Sequence, residues 1–213
     1  CSQLAEAVLE APAQLTDSRL RYALLGGSGS PVVQGNTFSD DAPIRLGSPF
    51  ASTAGVSGNT YSASAPEFLV ELSGKLAGDL TLSPVEGLAT HRLTAPLTVP
   101  DGRSMYVQPG VSLLQSSEEH ISVFGYFSAE DAAIALPIQI AEGGTGDFRN
   151  VSLTSDAGLT YSWGADGGNI EGLSGQGRVY LWDGAISLVG AIQADYLLSR
   201  VAVTLAPGSE IDE

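Results

Sequence analysis

Apolar and polar residues alternate in short runs along most of this chain, and Gly, Pro, Asn, Asp and Ser cut the runs apart. Period-two alternation puts successive side chains on opposite sides of a strand, so the pattern predicts an all-β domain from Leu20 onward. Phe68, Val70 and Leu72 alternate with Leu69 and Glu71, and Leu80 and Leu82 follow Gly78-Asp79. Met105 and Val107 are separated from Val111 and Leu113 by Pro109-Gly110, which reads as a turn. Ile121, Val123 and Phe127 share one face, with His120, Ser122, Phe124 and Tyr126 on the other. Ile134, Leu136, Ile138 and Ile140 alternate strictly. Pro137 argues for an edge position there, and Pro96 inside Leu93–Val99 for an edge or a bulge, because proline cannot donate to a ladder.

The last third repeats the pattern with aromatics. Leu159–Trp163 and Arg178–Trp182 are two runs, and Asp183-Gly184 joins the second to Ile186–Ile192. Asp-Gly between two β-type runs predicts a hairpin, since both positions tolerate positive φ. Asp195–Leu205 is the final run. Strands so many and so short, about ten to thirteen, exclude a parallel βαβ fold. They predict an antiparallel β-sandwich or jelly roll, with a closed barrel or β-solenoid as the other architectures. Leu4, Val8 and Ala11 recur at helical spacing before Pro12, so Cys1–Ala11 reads as a short helix or a tether. The domain plan is a tether over 1–19, one β domain over 20–207 and an acidic tail over 208–213. Gly26–Ser30 and Phe38–Thr60 read as loops, the second long enough to suggest a functional or partner-ordered segment.

Charge narrows the partners. The 213 residues carry nine Lys or Arg against 24 Asp or Glu, a net charge of −15. Such a chain repels polyanions, which excludes nucleic-acid binding through a basic surface. The hydrophobic content of 43% is too high for a wholly disordered chain. Only 15% of residues are charged, and Lys75 is the single lysine. A domain with so few charges is expected to cover part of its outside with other subunits. The single cysteine is Cys1, followed by the permissive Ser2 and Gln3, so no internal disulfide can form. This terminus resembles a mature bacterial lipoprotein. The resemblance implies a diacylglycerol on the Cys1 sulfur, a membrane partner through that anchor, and an extracytoplasmic place in the bacterial cell envelope.

Candidate chemistry is sparse. No nucleophile elbow is present, because Gly26-Gly27-Ser28-Gly29-Ser30 ends on the wrong residue and Gly55-Val56-Ser57-Gly58 is one short. A hydrolase would need His91 or His120 to meet a carboxylate in a cleft. Two separated histidines and a terminal cysteine do not make a zinc site. Asp40-Asp41, Glu118-Glu119 and Glu130-Asp131 are paired acids of the kind that usually form solvated turns. Asp166, Asn169 and Glu171 offer oxygen at calcium-like intervals without the twelve-residue hand. Gly143-Gly144-Thr145-Gly146-Asp147 approaches a calcium-binding nonapeptide but occurs once. Tyr161, Trp163, Tyr180 and Trp182 are candidate ligand-binding aromatics, with core packing as the alternative.

These observations favour a non-enzymatic, lipid-anchored extracytoplasmic structural or assembly subunit, in a membrane-associated complex, surface filament or layer, with protein partners or self-assembly and no cofactor. A cell-surface binding module for glycan, lipid or calcium is the second expectation, and a hydrolase the third.

Overall fold

The computed structural model describes residues 6–10, 13–27, 29–47, 53–62, 68–70, 74–200, 203–205 and 210–212. Every strand ladder in it is parallel. The one antiparallel contact among the described residues is the isolated bridge between Val85 and Leu88 inside a loop. A single coil shows how this arises. The chain runs along a first face at Thr90–Leu93, a second at Leu97–Val99 and a third at Ser104–Val107. It then returns to the first face at Ser112–Gln115, which pairs in parallel with Thr90–Leu93. The molecule is a three-faced parallel β-solenoid.

The first face stacks coil upon coil from Glu6–Glu10 to Glu210–Asp212. The second is a seven-stranded sheet from Gly74–Lys75 to Tyr196–Ser199, and the third runs from Leu80–Leu82 to Val203–Leu205. Nearer the N-terminus two three-stranded ladders complete the coils, one through Leu15, Val33 and Val56, the other through Leu20, Phe38 and Tyr61.

Alternation supplies the core. Leu97, Ile121, Ile138, Leu159 and Val179 form one buried column, and Val99, Val123, Ile140, Tyr161 and Leu181 the next. Each fully buried aliphatic side chain contributes about 1.5–3 kcal/mol before the entropy of ordering the chain is set against it. Tyr161 is the large exception among the aliphatics. Its ring is fully buried and its hydroxyl donates to the Gly146 carbonyl at 2.6 Å. Gly168 leaves the space for that hydroxyl: a Cβ there would collide with the Gly146 carbonyl oxygen and meet the Tyr161 hydroxyl at 3.0 Å.

The corner from the third face to the first is turned by one left-handed residue per coil. Asp131, Asn150, Gly172 and Gly190 have φ of +45, +50, +66 and +76°. Arg149 and Asn150 are both exposed, after which Val151 is buried again, so this residue resets the alternation. Thr145–Leu153, Gly167–Gly175 and Ala185–Gln193 each pass this corner without a break and join the third face to the first.

The parallel ladders overturn the antiparallel sandwich or jelly roll. Strands form within the predicted runs, but Leu93–Val99, Ile134–Ile140 and Asp195–Leu205 each divide into two strands on different faces, and Phe127 lies on the third face, apart from Ile121 and Val123 on the second. Each strand pairs with the run one coil away, not with its neighbour in sequence. Arg178–Leu181 and Ala185–Gln193 lie on different faces, so Asp183-Gly184 turns a corner and makes no hairpin. Gly184 does take a positive φ, +102°. Pro109-Gly110 likewise links the third face to the first. Pro137 opens a strand paired on both sides, at the first position, where a missing N–H is tolerated. The expected N-terminal helix is also corrected: Glu6–Glu10 is a strand paired in parallel with Tyr22–Gly26, and the remainder of Cys1–Ala11 lies outside the described residues. Within Phe38–Thr60 the chain adds Ile44–Leu46, a 3-10 turn at Thr53–Gly55 and Val56–Ser57, while 48–52 lie outside the described residues.

Candidate functional site

Most of the polar groups that suggest chemistry in the sequence are engaged with the coils themselves. Asp17, Gly35, Gly58 and Glu86 take positive φ, and the amide after each of the first three is bound by the coil above. Ser18 N–H donates to Asn36 Oδ1 at 3.0 Å, Asn36 N–H to Asn59 Oδ1 at 3.0 Å, and Asn59 N–H to Glu86 Oε1 at 2.9 Å. Asn36 is fully buried, and its Nδ2 donates to the Leu15 and Gln34 carbonyls. Glu86 ends this asparagine ladder, also accepting from Asn59 Nδ2 and from the Tyr61 hydroxyl at 2.6 Å. Partial burial pushes the Glu86 carboxyl upward, but these donors prevail and hold it below its ordinary value. Burial first, and then the Glu86 bond, raises the Tyr61 hydroxyl far above its ordinary value.

The paired acids are placed in the same manner. Asp40 receives Arg21 at 3.2 Å and Arg45 at 3.9 Å. Glu119 accepts from the Ser117 N–H and hydroxyl, bonds that hold its carboxyl low. Glu130, Arg149 and Glu171 alternate in sign up three coils, at 3.3 and 3.5 Å.

The calcium-like residues separate. Asp166 is exposed at a corner, its N–H donating to the Gly144 carbonyl. Asn169 donates from both N–H and Nδ2 to Asp147 Oδ1, and Glu171 meets Arg149. Among the described residues no three His, Cys, Asp or Glu side chains stand together as a metal site. His91 is buried in the first-face column between the register positions of Phe68 and Leu113. Its Nδ1 lies 3.3 Å from the Ala89 carbonyl, and burial pushes the imidazole down to about 4. His120 is half-buried at the start of a second-face strand, where its carbonyl accepts the Leu97 N–H.

The aromatics are what reaches the surface. Tyr161 points into the core, whereas Trp163 is 66% exposed just beyond the same strand. Tyr180 and Trp182 are half-buried with rings 6.4 Å apart and tilted by 4°, and the Arg200 guanidinium lies 4.7 Å from the centre of the Trp182 ring. Backbone bonds set their order up the corner between the second and third faces. Phe124, Ala141, Ser162, Trp182 and Arg200 each donate N–H to the last or near-last strand carbonyl one coil below, at 2.8–2.9 Å. They therefore form one vertical row, and Phe124 at its foot is 41% exposed. Polar groups flank the row: Gln139 Nε2 donates to Ser162 Oγ at 2.8 Å, and Asp183 accepts the Gly164 and Gly184 N–H groups, which hold its carboxyl low. Sequence reading missed Phe124 and Arg200 as members of this group. The outward parity of Phe124 beside Ser122 was visible, but its neighbours one coil away were not.

The fold defines the class, a parallel β-solenoid with an acidic, lysine-poor surface and one aromatic corner. No protein-family model, curated protein or solved structure matches the chain.

Proposed function

We propose that this protein is a non-enzymatic structural and assembly subunit of the bacterial cell envelope, acting as a short rigid rod outside the cytoplasm. The observation that supports this reading is the use of its polar groups. Asn36, Asn59, Glu86, Glu119, Asp131, Asp147 and Asp183 all bond backbone or side-chain groups of their own or an adjacent coil. Interactions of that kind stiffen a stack in which each coil contacts only its neighbours. The scarcity of charge fits a rod whose sides are covered in an assembly. Detergent extraction of native envelopes, followed by size exclusion with light scattering, tests it. The chain should elute in a particle well above its 21.9 kDa. Elution of all of it as a monomer overturns the assembly reading. The lipid on Cys1 is a separate part of the proposal, tested by the intact mass of the native chain: the bare polypeptide mass would refute it.

A further inference from the structure

The aromatic corner calls for a ligand of its own, independent of the assembly reading. Large exposed hydrophobics are few: among the described residues they are Val8, Tyr106, Phe124, Trp163 and Leu205. Two of these five, Phe124 and Trp163, lie at one corner together with Trp182. Phe124 and Trp182 stand three coils apart in the same row, about 14 Å at the usual strand spacing. Between them are only Ala141 and Ser162. Large rings thus flank small residues along the solenoid axis, with a third ring, Trp163, beside Ser162 and more exposed than either.

What such a corner fits can be argued from its chemistry. A protein–protein interface of ordinary size needs a well-packed apolar centre ringed by polar groups. No large exposed aliphatic side chain stands near this row; Val8 lies on the opposite, N-terminal first face, and Leu205 in the last third-face strand. Rings interleaved with hydroxyl, amide and carboxylate groups suit a sugar, whose C–H faces stack on aromatics while its hydroxyls find polar partners. The net charge of −15 disfavours an anionic polymer.

We propose that the corner formed by Phe124, Trp163, Trp182, Ser162 and Gln139 binds a neutral glycan chain lying along the solenoid axis. Trp163 and Phe124 supply stacking surfaces. Arg200, seated on Trp182, fixes that ring in place. Ser162 and Gln139 offer hydrogen bonds to sugar hydroxyls.

Isothermal titration calorimetry of the full chain with cellohexaose, chitohexaose and an anionic hexagalacturonate tests this. At least one neutral hexasaccharide should bind saturably, with little or no heat from the anionic one. Trp163→Ala and Phe124→Ala should each weaken that binding about tenfold, as loss of an anchoring ring does. Tyr106→Ala, on the third face, should leave it unchanged. Circular dichroism of each variant separates loss of a ring from loss of the fold, and Trp163 is so exposed that its replacement leaves the core intact. Three outcomes overturn the proposal: no saturable heat with either neutral sugar, tighter binding of the anionic one, or equal affinity in Trp163→Ala.

Discussion

Replacing His91 by leucine isolates the contribution of one buried imidazole to acid stability. In the folded chain His91 occupies a column whose other positions include Ile44, Leu113 and Ile134, all fully buried. A charge there has no water around it, so burial lowers its pKa to about 4, against 6.5 when exposed. Above pH 6.5 both folded and unfolded chains hold a neutral ring, and His91 adds no pH dependence. Between 6.5 and 4 the unfolded chain takes up a proton that the folded chain refuses, so stability falls with pH and levels off below about 4. The difference of about 2.5 pKa units corresponds to about 3 kcal/mol. Leucine removes the titrating ring, and the Ala89 carbonyl then still accepts the Ser112 N–H at 2.9 Å. The change in stability at pH 7.5 holds every pH-independent consequence of the swap and serves as the baseline. Urea unfolding of both proteins by tryptophan fluorescence, from pH 7.5 to 4, is the assay. Carboxylates titrate alike in both and cancel in the difference, which should grow by about 3 kcal/mol in favour of His91→Leu. A difference that stays constant with pH would show that folding does not perturb the ring and that burial does not keep His91 neutral.

Three further outcomes follow from the stack. Asn59→Ala leaves the Asn36 N–H and the Val33 carbonyl without their side-chain partner and should cost about 2–3 kcal/mol, read from urea midpoints. Ile138→Ala opens a cavity in the second-face column and should cost about 2–5 kcal/mol in the same measurement. Glu86, whose carboxyl lies below its ordinary value, contributes fully above about pH 4.5 and loses that contribution as pH falls through the lowered value. Calorimetric melting of Glu86→Gln between pH 6 and 3 should show a shallower acid decline than the parent chain, and parallel declines would count against the ladder cap.

Strand positions and their inward sides were readable from alternation alone, as Ile121, Val123, Ile138 and Ile140 show. Pairing direction was not. A glycine or aspartate at positive φ meets the same steric demand whether the chain reverses or turns a corner, so Asp183-Gly184 looked like a hairpin. The partner that decides the matter lies about twenty residues away, at a solenoid-like period that coils of unequal length blur. Tyr161 misled for a local reason. It shares parity with Trp163, but the strand ends at Tyr161 and the corner sends the two rings to opposite sides. The aromatic row itself assembles Phe124 with Trp182 across three coils, a proximity no local window contains.

Stacking in chain order has a bearing on how the protein is made. Each coil completes its hydrogen bonds with the coil preceding it, so a chain delivered N-terminus first can fold as it emerges, each new turn finding its template already laid down. No segment has to wait for a distant C-terminal partner, and the waiting, half-exposed species that feed aggregation are kept to one open edge at a time. A polypeptide threaded through a membrane is delivered in just that order.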